Sequence, residues 1–462
     1  MSIEDQKKKL RDATLVGHGK SLDQGKGHEL VPLNMPFSHR TAHLAVFGSS
    51  GSGKTREAEN IIEQDIRSGR SVVYIDPKVD QEIASKIVQV ALACGRQDDL
   101  MFINTVFPEY SAFIDPMAYY FIYEELIEHC VAGIKEGKDP FYRNVGKELV
   151  GAVITALSIL HKAQQDSLEG NKPPEKLRIN LQDVKERMSR ADLEELKQQL
   201  SGLTTREAQD AENDLQRIIA TGEEYYSKVA SSLRCALMDL TTGNIGKIIG
   251  HATENRFLKR LEENKPVILV CQLGSQIVHD AAFTLGKVVL SMIQSFVGRI
   301  YSSNRKKVNP PLCVHIDEAH EVIHPGMESM FAQARGADCA LTVYSQSINQ
   351  FKNKLGEDGA LSILSHCNSK IFMRSPDYHT ADYVAKHFGT VKKLSAVIGQ
   401  GSISSREVEE DVVKPFDVQS LKVREFYMLS YADDNTKGRW KGRTGDTSPA
   451  WLEVEYPAAP VD

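Results

Sequence analysis

Eight residues, GSSGSGKT from Gly48 to Thr55, constrain the fold of this chain more than any other feature. They satisfy G-x-x-x-x-G-K-[ST] at every fixed position and stand between an apolar run, Ala42 to Phe47, and a helical pattern from Thr55 to Arg67 that stops at Gly69. A glycine-rich turn joining a strand to a helix aims backbone N–H groups at phosphate oxygens, and the helix N-terminus adds partial positive charge. Gly48, Gly51 and Gly53 supply the turn, with Ser49, Ser50 and Ser52 between them. Lys54 is expected to reach the β and γ phosphates of ATP, and Thr55 to place its hydroxyl on Mg²⁺.

The surrounding pattern fits that loop. Strands are expected at Ser71 to Ile75 and Leu100 to Ile103, with a helix over Gln81 to Ala93 between them. From Met117 to Lys265 the chain shows amphipathic stretches (Lys147 to Leu160, Leu181 to Leu200, Arg206 to Ile219) and no convincing strand. Short β-rich runs then return at Val267 to Cys271, Leu312 to Ile316, Ala340 to Ser345, Lys370 to Met373 and Phe426 to Ser430, with a helical run over Ala281 to Tyr301. The expected architecture is α/β: a RecA-like P-loop NTPase domain with a mostly parallel central sheet, interrupted by an all-α insertion. The expected boundaries are 1–116 and 266–462 for the two parts of the nucleotide-binding domain and 117–265 for the insertion.

A phosphate loop needs a second strand that delivers acids to the metal, and LCVHIDE, Leu312 to Glu318, is the best candidate. Asp317 is placed to hold Mg²⁺ and Glu318 to orient or activate the attacking water. The same stretch contains His320-Glu321-Val322-Ile323-His324, a match to the zinc-protease pattern. Pro325 directly after His324 disfavours helix there, so the two histidines are not expected to face one metal. His320 reads as a loop residue near the γ-phosphate or as a structural one.

Composition narrows the class. Hydrophobic residues make up 41 % and charged residues 26 % of 462 positions, values of an ordinary globular chain. Seven scattered cysteines without a CxxC pair suggest neither a disulfide framework nor structural zinc. No run appears long and apolar enough for a membrane span, the nearest being Thr284 to Ile300, and the first ten residues carry no export signal. The expected location is cytoplasmic, peripheral at the inner membrane through partners. A net charge of −6 argues against a globally basic nucleic-acid coat, leaving local clusters at Lys7 to Lys9, Arg305 to Lys307 and Thr436 to Arg443.

Four segments together, SHRTAHLAVFGSSGSGKT, YIDPK, HIDEAH and QARGADCALTVYSQS, resemble the type IV coupling proteins of bacterial conjugation and secretion, the TraD/TraG kind, within the FtsK/HerA group of hexameric DNA-pumping ATPases. The resemblance implies ATP-driven translocation of DNA, single- or double-stranded, with a relaxase, or of protein substrates, to a secretion channel by a homo-oligomeric ring. It implies that Gln346 senses the γ-phosphate and that Arg335 reaches into the neighbouring subunit's site, with Arg374 as the competing finger. Asp76 of IDPK is expected either at the edge of the nucleotide site or as a strand-end turn. A chromosomal DNA pump and a nucleotide-gated scaffold without turnover are the alternatives that the same residues leave open.

Overall fold

The computed structural model describes residues 13–23, 29–134, 141–167, 176–250, 252–324, 326–399, 402–431 and 437–458. The basic cluster at Lys7 to Lys9, as well as Pro325 and Thr436, lies outside them.

An eleven-stranded sheet is the frame, in the order β2-β1-β13-β12-β9-β3-β8-β7-β4-β6-β5. The strands are β1 (Ala13–Ser21), β2 (Val31–Pro36), β3 (Leu44–Phe47), β4 (Ser71–Asp76), β5 (Leu100–Asn104), β6 (Ile268–Gln272), β7 (Leu312–Ile316), β8 (Cys339–Ser345), β9 (Ser369–Met373), β12 (Glu425–Tyr431) and β13 (Lys437–Thr444). The seven from β9 to β5 run parallel, and β12, β13, β1 and β2 add an antiparallel wing. β10 (Thr390–Gly399) and β11 (Ser402–Asp411) form a separate hairpin.

The parallel strands are apolar throughout because both faces are covered, as crossover helices require. Leu44, Val46, Val72, Tyr74, Ile268 and Val270 face the helices Lys54–Arg67 and Gln81–Ala93. Ala45, Phe47, Val73, Ile75, Val314 and Ile316 face the other core, which includes helices Asp280–Ser302, Ile348–His366 and Tyr378–Phe388.

Between β5 and β6 every described element is helical, from Tyr123–Val131 through Phe141–Ser167, Arg190–Ser201, Arg206–Ile219 and Glu223–Thr241 to Arg256–Glu262. Their apolar faces join the second core without a break: Leu149, Val153, Leu193, Leu215 and Leu237 belong to the same cluster as Val314. The single helix expected over Leu181 to Leu200 is two, Leu181–Lys185 and Arg190–Ser201. The second begins at a capping box in which the Ser189 side chain accepts from the N–H of Asp192, a local start signal that outweighs the continuous amphipathic pattern.

Helix Asp280–Ser302 corrects one expectation, since it is long and apolar enough by length and composition to cross a membrane. Here it packs under the sheet: Leu285, Val288, Val289, Met292, Ile293 and Phe296 are fully buried.

A wholly buried ionic cluster ties the phosphate-loop helix to the sheet. Asp65 accepts from Arg40 at 2.9 Å, from Arg70 at 2.7 Å and contacts His315 Nε2 at 3.0 Å, while His315 Nδ1 lies 3.1 Å from the Tyr344 hydroxyl. These charges hold Asp65 far below the usual carboxylate range despite burial, and desolvation lowers the pKa of His315.

Candidate nucleotide site

β3 and β7 do not pair; β8 lies between them, with Phe47 opposite Ser345 and Ile316 opposite Val343. β3 and β8 end level and β7 ends two residues lower, so Gly48, Gln346 and the pair Asp317-Glu318 emerge at the same edge of the sheet. This is the strand-end position where open parallel sheets bind ligands.

The phosphate loop is anchored from both neighbours of β3. Gly48 N–H donates to Ser345 O at 3.1 Å, and Ser49 donates from N–H and hydroxyl to Arg374 O at 2.9 and 3.0 Å. Ser52 O accepts from Arg424 N–H at 2.8 Å. Gly53, at φ +103°, is in a backbone conformation that side chains strain, and a Cβ would crowd Arg424 N at 3.0 Å. At Gly48 a Cβ would meet Ser52 Oγ at 2.4 Å and Met373 Cβ at 2.9 Å. Helix Lys54–Arg67 starts at once; Glu57 N–H donates to Gly53 O at 3.1 Å, and the N–H groups before it are those a helix start leaves without an intrahelical partner. Thr55 is exposed at that mouth, as are Ser50 and Gly51.

Two acids and three donors meet opposite the loop. Lys54 Nζ lies 3.8 Å from both Asp317 Oδ1 and Glu318 Oε1. Gln346 Nε2 donates to Glu318 Oε1 at 2.8 Å, and Lys78 Nζ donates to the same oxygen. Glu318 Oε2 is buried without a hydrogen bond, with His320 Nδ1 3.7 Å away. Glu318 itself sits in the left-handed region, φ +41° and ψ +48°, a strained conformation for a residue with a side chain and one that concentrates at functional sites. Burial raises the pKa of Asp317, with Lys54 working against it. For Glu318 burial also pushes upward, but Lys54, Lys78 and Gln346 together outweigh it and hold the carboxyl below its ordinary value.

Of the remaining expected residues, Asp76 forms the strand-end turn: its oxygens accept from Lys78 N–H at 2.8 Å and Asp80 N–H at 2.5 Å. Desolvation raises it to about 7. Arg374 holds the loop of its own subunit through its carbonyl. Arg335 is exposed in the short turn Ala334–Ala337 before β8, at the opposite end of that strand from Gln346. His320 lies in the four-residue helix Ala319–Val322, and His324 falls beyond its end, so the two share no helical face. Lys78 and Arg424 received no role from the sequence. Lys78 was visible in YIDPK, at the end of a strand adjoining β7; the approach of Arg424 depends on the wing, which no local pattern shows.

The donor set fits a nucleoside triphosphate with a divalent cation: a glycine cradle that side chains would fill, a lysine between two carboxylates, and a buried carboxylate oxygen with no donor. Fold and site thus define a P-loop nucleotide-binding protein. Residues 311–422 match the family model described as the TraM recognition site of TraD and TraG. The type 4 coupling protein DotL of Legionella pneumophila is 36% identical over 82 residues, 18% of this chain and 10% of DotL, so the match spans a small part of that relative. Among solved structures, the bacterial conjugative coupling protein TrwB, lacking its first 70 residues, has the same fold: TM-score 0.68, 14% identity, 98% of this chain and 95% of that one. TrwB in complex with ADP and Mg²⁺ aligns with TM-score 0.61 at 15% identity, over 91% and 90%. The resemblance to type IV coupling proteins and the RecA-like P-loop fold are both borne out.

Proposed function

We propose that the chain is an ATP-hydrolysing motor of the type IV coupling kind, recruiting DNA with its relaxase, or protein substrates, to a secretion channel. The observation that carries the reading is Glu318: a buried carboxylate beside Asp317, oriented by Gln346, with its second oxygen free of donors and turned by a strained backbone. A nucleotide-binding scaffold without turnover has no use for that arrangement.

Gly48 to Gly53 and the helix N-terminus bind the phosphates, and Lys54 neutralises their charge. Thr55 and Asp317 would hold Mg²⁺, which when bound supplies charge neutralisation at the β and γ phosphates. Glu318 takes the proton of the attacking water at Oε2. Gln346 fixes the other oxygen and, standing between β3 and β7, lies where a γ-phosphate is sensed. Arg335, remote from its own subunit's loop, serves the neighbouring subunit of a homo-oligomeric ring, a hexamer in the coupling-protein group. The helical insertion, residues 117–265, is the substrate contact, and the protein works at the cytoplasmic side of the inner membrane.

The test is ATP turnover by the wild type and by Glu318→Gln, with nucleotide affinity measured alongside. The reading requires turnover lost and binding retained in the variant; equal turnover in both proteins overturns it.

A further inference from the structure

Lys78 is unassigned by the reaction just described, yet it makes the most direct contact with the proposed base. Its ammonium donates to Glu318 Oε1, the oxygen that also accepts from Gln346 at 2.8 Å and faces Lys54 at 3.8 Å. The backbone that carries it is fixed. Asp76 clamps the turn that carries it, accepting from Lys78 N–H and Asp80 N–H. Val79 takes a positive φ of 61° to complete that turn, and Asp80 caps the next helix by accepting from Glu82 N–H.

Two hydrogen bonds on one carboxylate oxygen, with a second ammonium 3.8 Å away, are more than orientation needs. Gln346 alone fixes the plane of the group without adding charge. An ammonium on the same oxygen pins the carboxylate toward the turn that follows β4, so the group is held where Lys78 sets it and is not free to turn to the attacking water. Lys78 also differs from Lys54 in access. Its side chain is 47% exposed, against 11% for Lys54, so its ion pair is open to solvent and weakly held. The contact can therefore be broken without unpacking the fold.

We propose that Lys78 is a positioning residue that restrains Glu318, keeping basal hydrolysis slow until its ammonium is withdrawn. This rests on Glu318 being the base, as proposed above. It assigns to the lysine of IDPK a role in controlling turnover, with no part in binding the nucleotide.

The experiment compares kcat, KM and the Kd of a fluorescent ATP analogue for wild type, Lys78→Met, Lys78→Arg, Glu318→Gln and the double variant Lys78→Met/Glu318→Gln, with no nucleic acid present. Expected are a kcat for Lys78→Met raised by about tenfold, the scale of one charge-assisted hydrogen bond, unchanged Kd, wild-type behaviour for Lys78→Arg, and no turnover in the double variant. A kcat for Lys78→Met at or below wild type, or a weakened Kd, overturns the restraint while leaving the base assignment intact. Turnover in Glu318→Gln equal to wild type overturns the base assignment first. Circular dichroism of Lys78→Met confirms that the comparison is made on folded protein.

Discussion

Gln346 Nε2 and Glu318 Oε1 are 2.8 Å apart, a bond that joins the carboxyl ends of β8 and β7 directly above the middle of the sheet. β8 stands between the phosphate-loop strand and the acid-bearing strand, so any change at the phosphate that moves Gln346 reaches Glu318 through one contact. Gln346→Ala should therefore lower kcat by on the order of 10²-fold while leaving nucleotide affinity near wild type. Single-turnover kinetics with a parallel binding titration separates the two. A loss confined to KM would place Gln346 in binding alone.

Arg335 and Arg374 stand at opposite ends of the parallel sheet, Arg374 holding its own subunit's loop and Arg335 preceding β8. Arg335→Ala is expected to reduce turnover by about 10³-fold or more with ATP binding intact. Mixing it with Lys54→Ala subunits should restore part of the rate, because a wild-type loop then meets a wild-type arginine across the interface. Arg374→Ala keeps the main-chain carbonyl that holds the loop, so it should leave nucleotide binding and turnover near wild type.

Asp65 compensates two buried guanidinium groups at once, Arg40 and Arg70. Asp65→Asn leaves them without a counter-charge and should destabilise the fold by about 3–5 kcal/mol. The folded pKa of Asp65 is depressed, so its contribution is complete above the ordinary carboxylate pKa of about 3.9 and is lost as pH falls below it. Denaturant unfolding at neutral pH and near pH 3 should show the gap between wild type and variant narrowing in acid.

Glu57, in the phosphate-loop helix, is wholly buried with neither oxygen in a hydrogen bond, and desolvation pushes its carboxyl up to about 8, against weaker pulls from Thr444 and Asn60. A folded pKa above the unfolded value means that the native state holds a proton the unfolded chain releases, so wild-type stability declines as pH rises from about 4.5 to about 8. Glu57→Gln removes that dependence. Its thermal midpoint should exceed wild type at pH 8 by more than at pH 5, and an equal difference at both would contradict the burial argument.

Much of this was legible in local pattern. Strand β7 has the expected bounds, and helices Gln81–Ala93 and Arg206–Ile219 match residue for residue, because their apolar spacing and end signals agree. The phosphate loop, Asp317 and Glu318 were legible because a strand-turn-helix context accompanies the motif. β1, β2 and β13 were missed: residues such as His18, Lys20, Lys441 and Arg443 are exposed on these strands, and the pairing of β1 with β13 joins segments over 400 residues apart, which no short window detects. The hairpin β10–β11 was missed for a similar reason, with Lys392, Lys393, Glu407 and Glu410 along it. The role of Lys78 could not be read from spacing either, since it depends on β4 lying beside β7.

Glu318, as proposed, drives ATP hydrolysis in a ring that moves DNA with its relaxase, or protein substrates, and the DNA arm is the one tested first. The most direct test is steady-state ATP hydrolysis by the wild type and Glu318→Gln over a range of protein concentrations, without DNA, with single-stranded DNA and with double-stranded DNA. Turnover per subunit that rises with protein concentration and with DNA, and is lost in Glu318→Gln, is the predicted result. Turnover indifferent to concentration and to both forms of DNA, or retained in Glu318→Gln, would contradict the account.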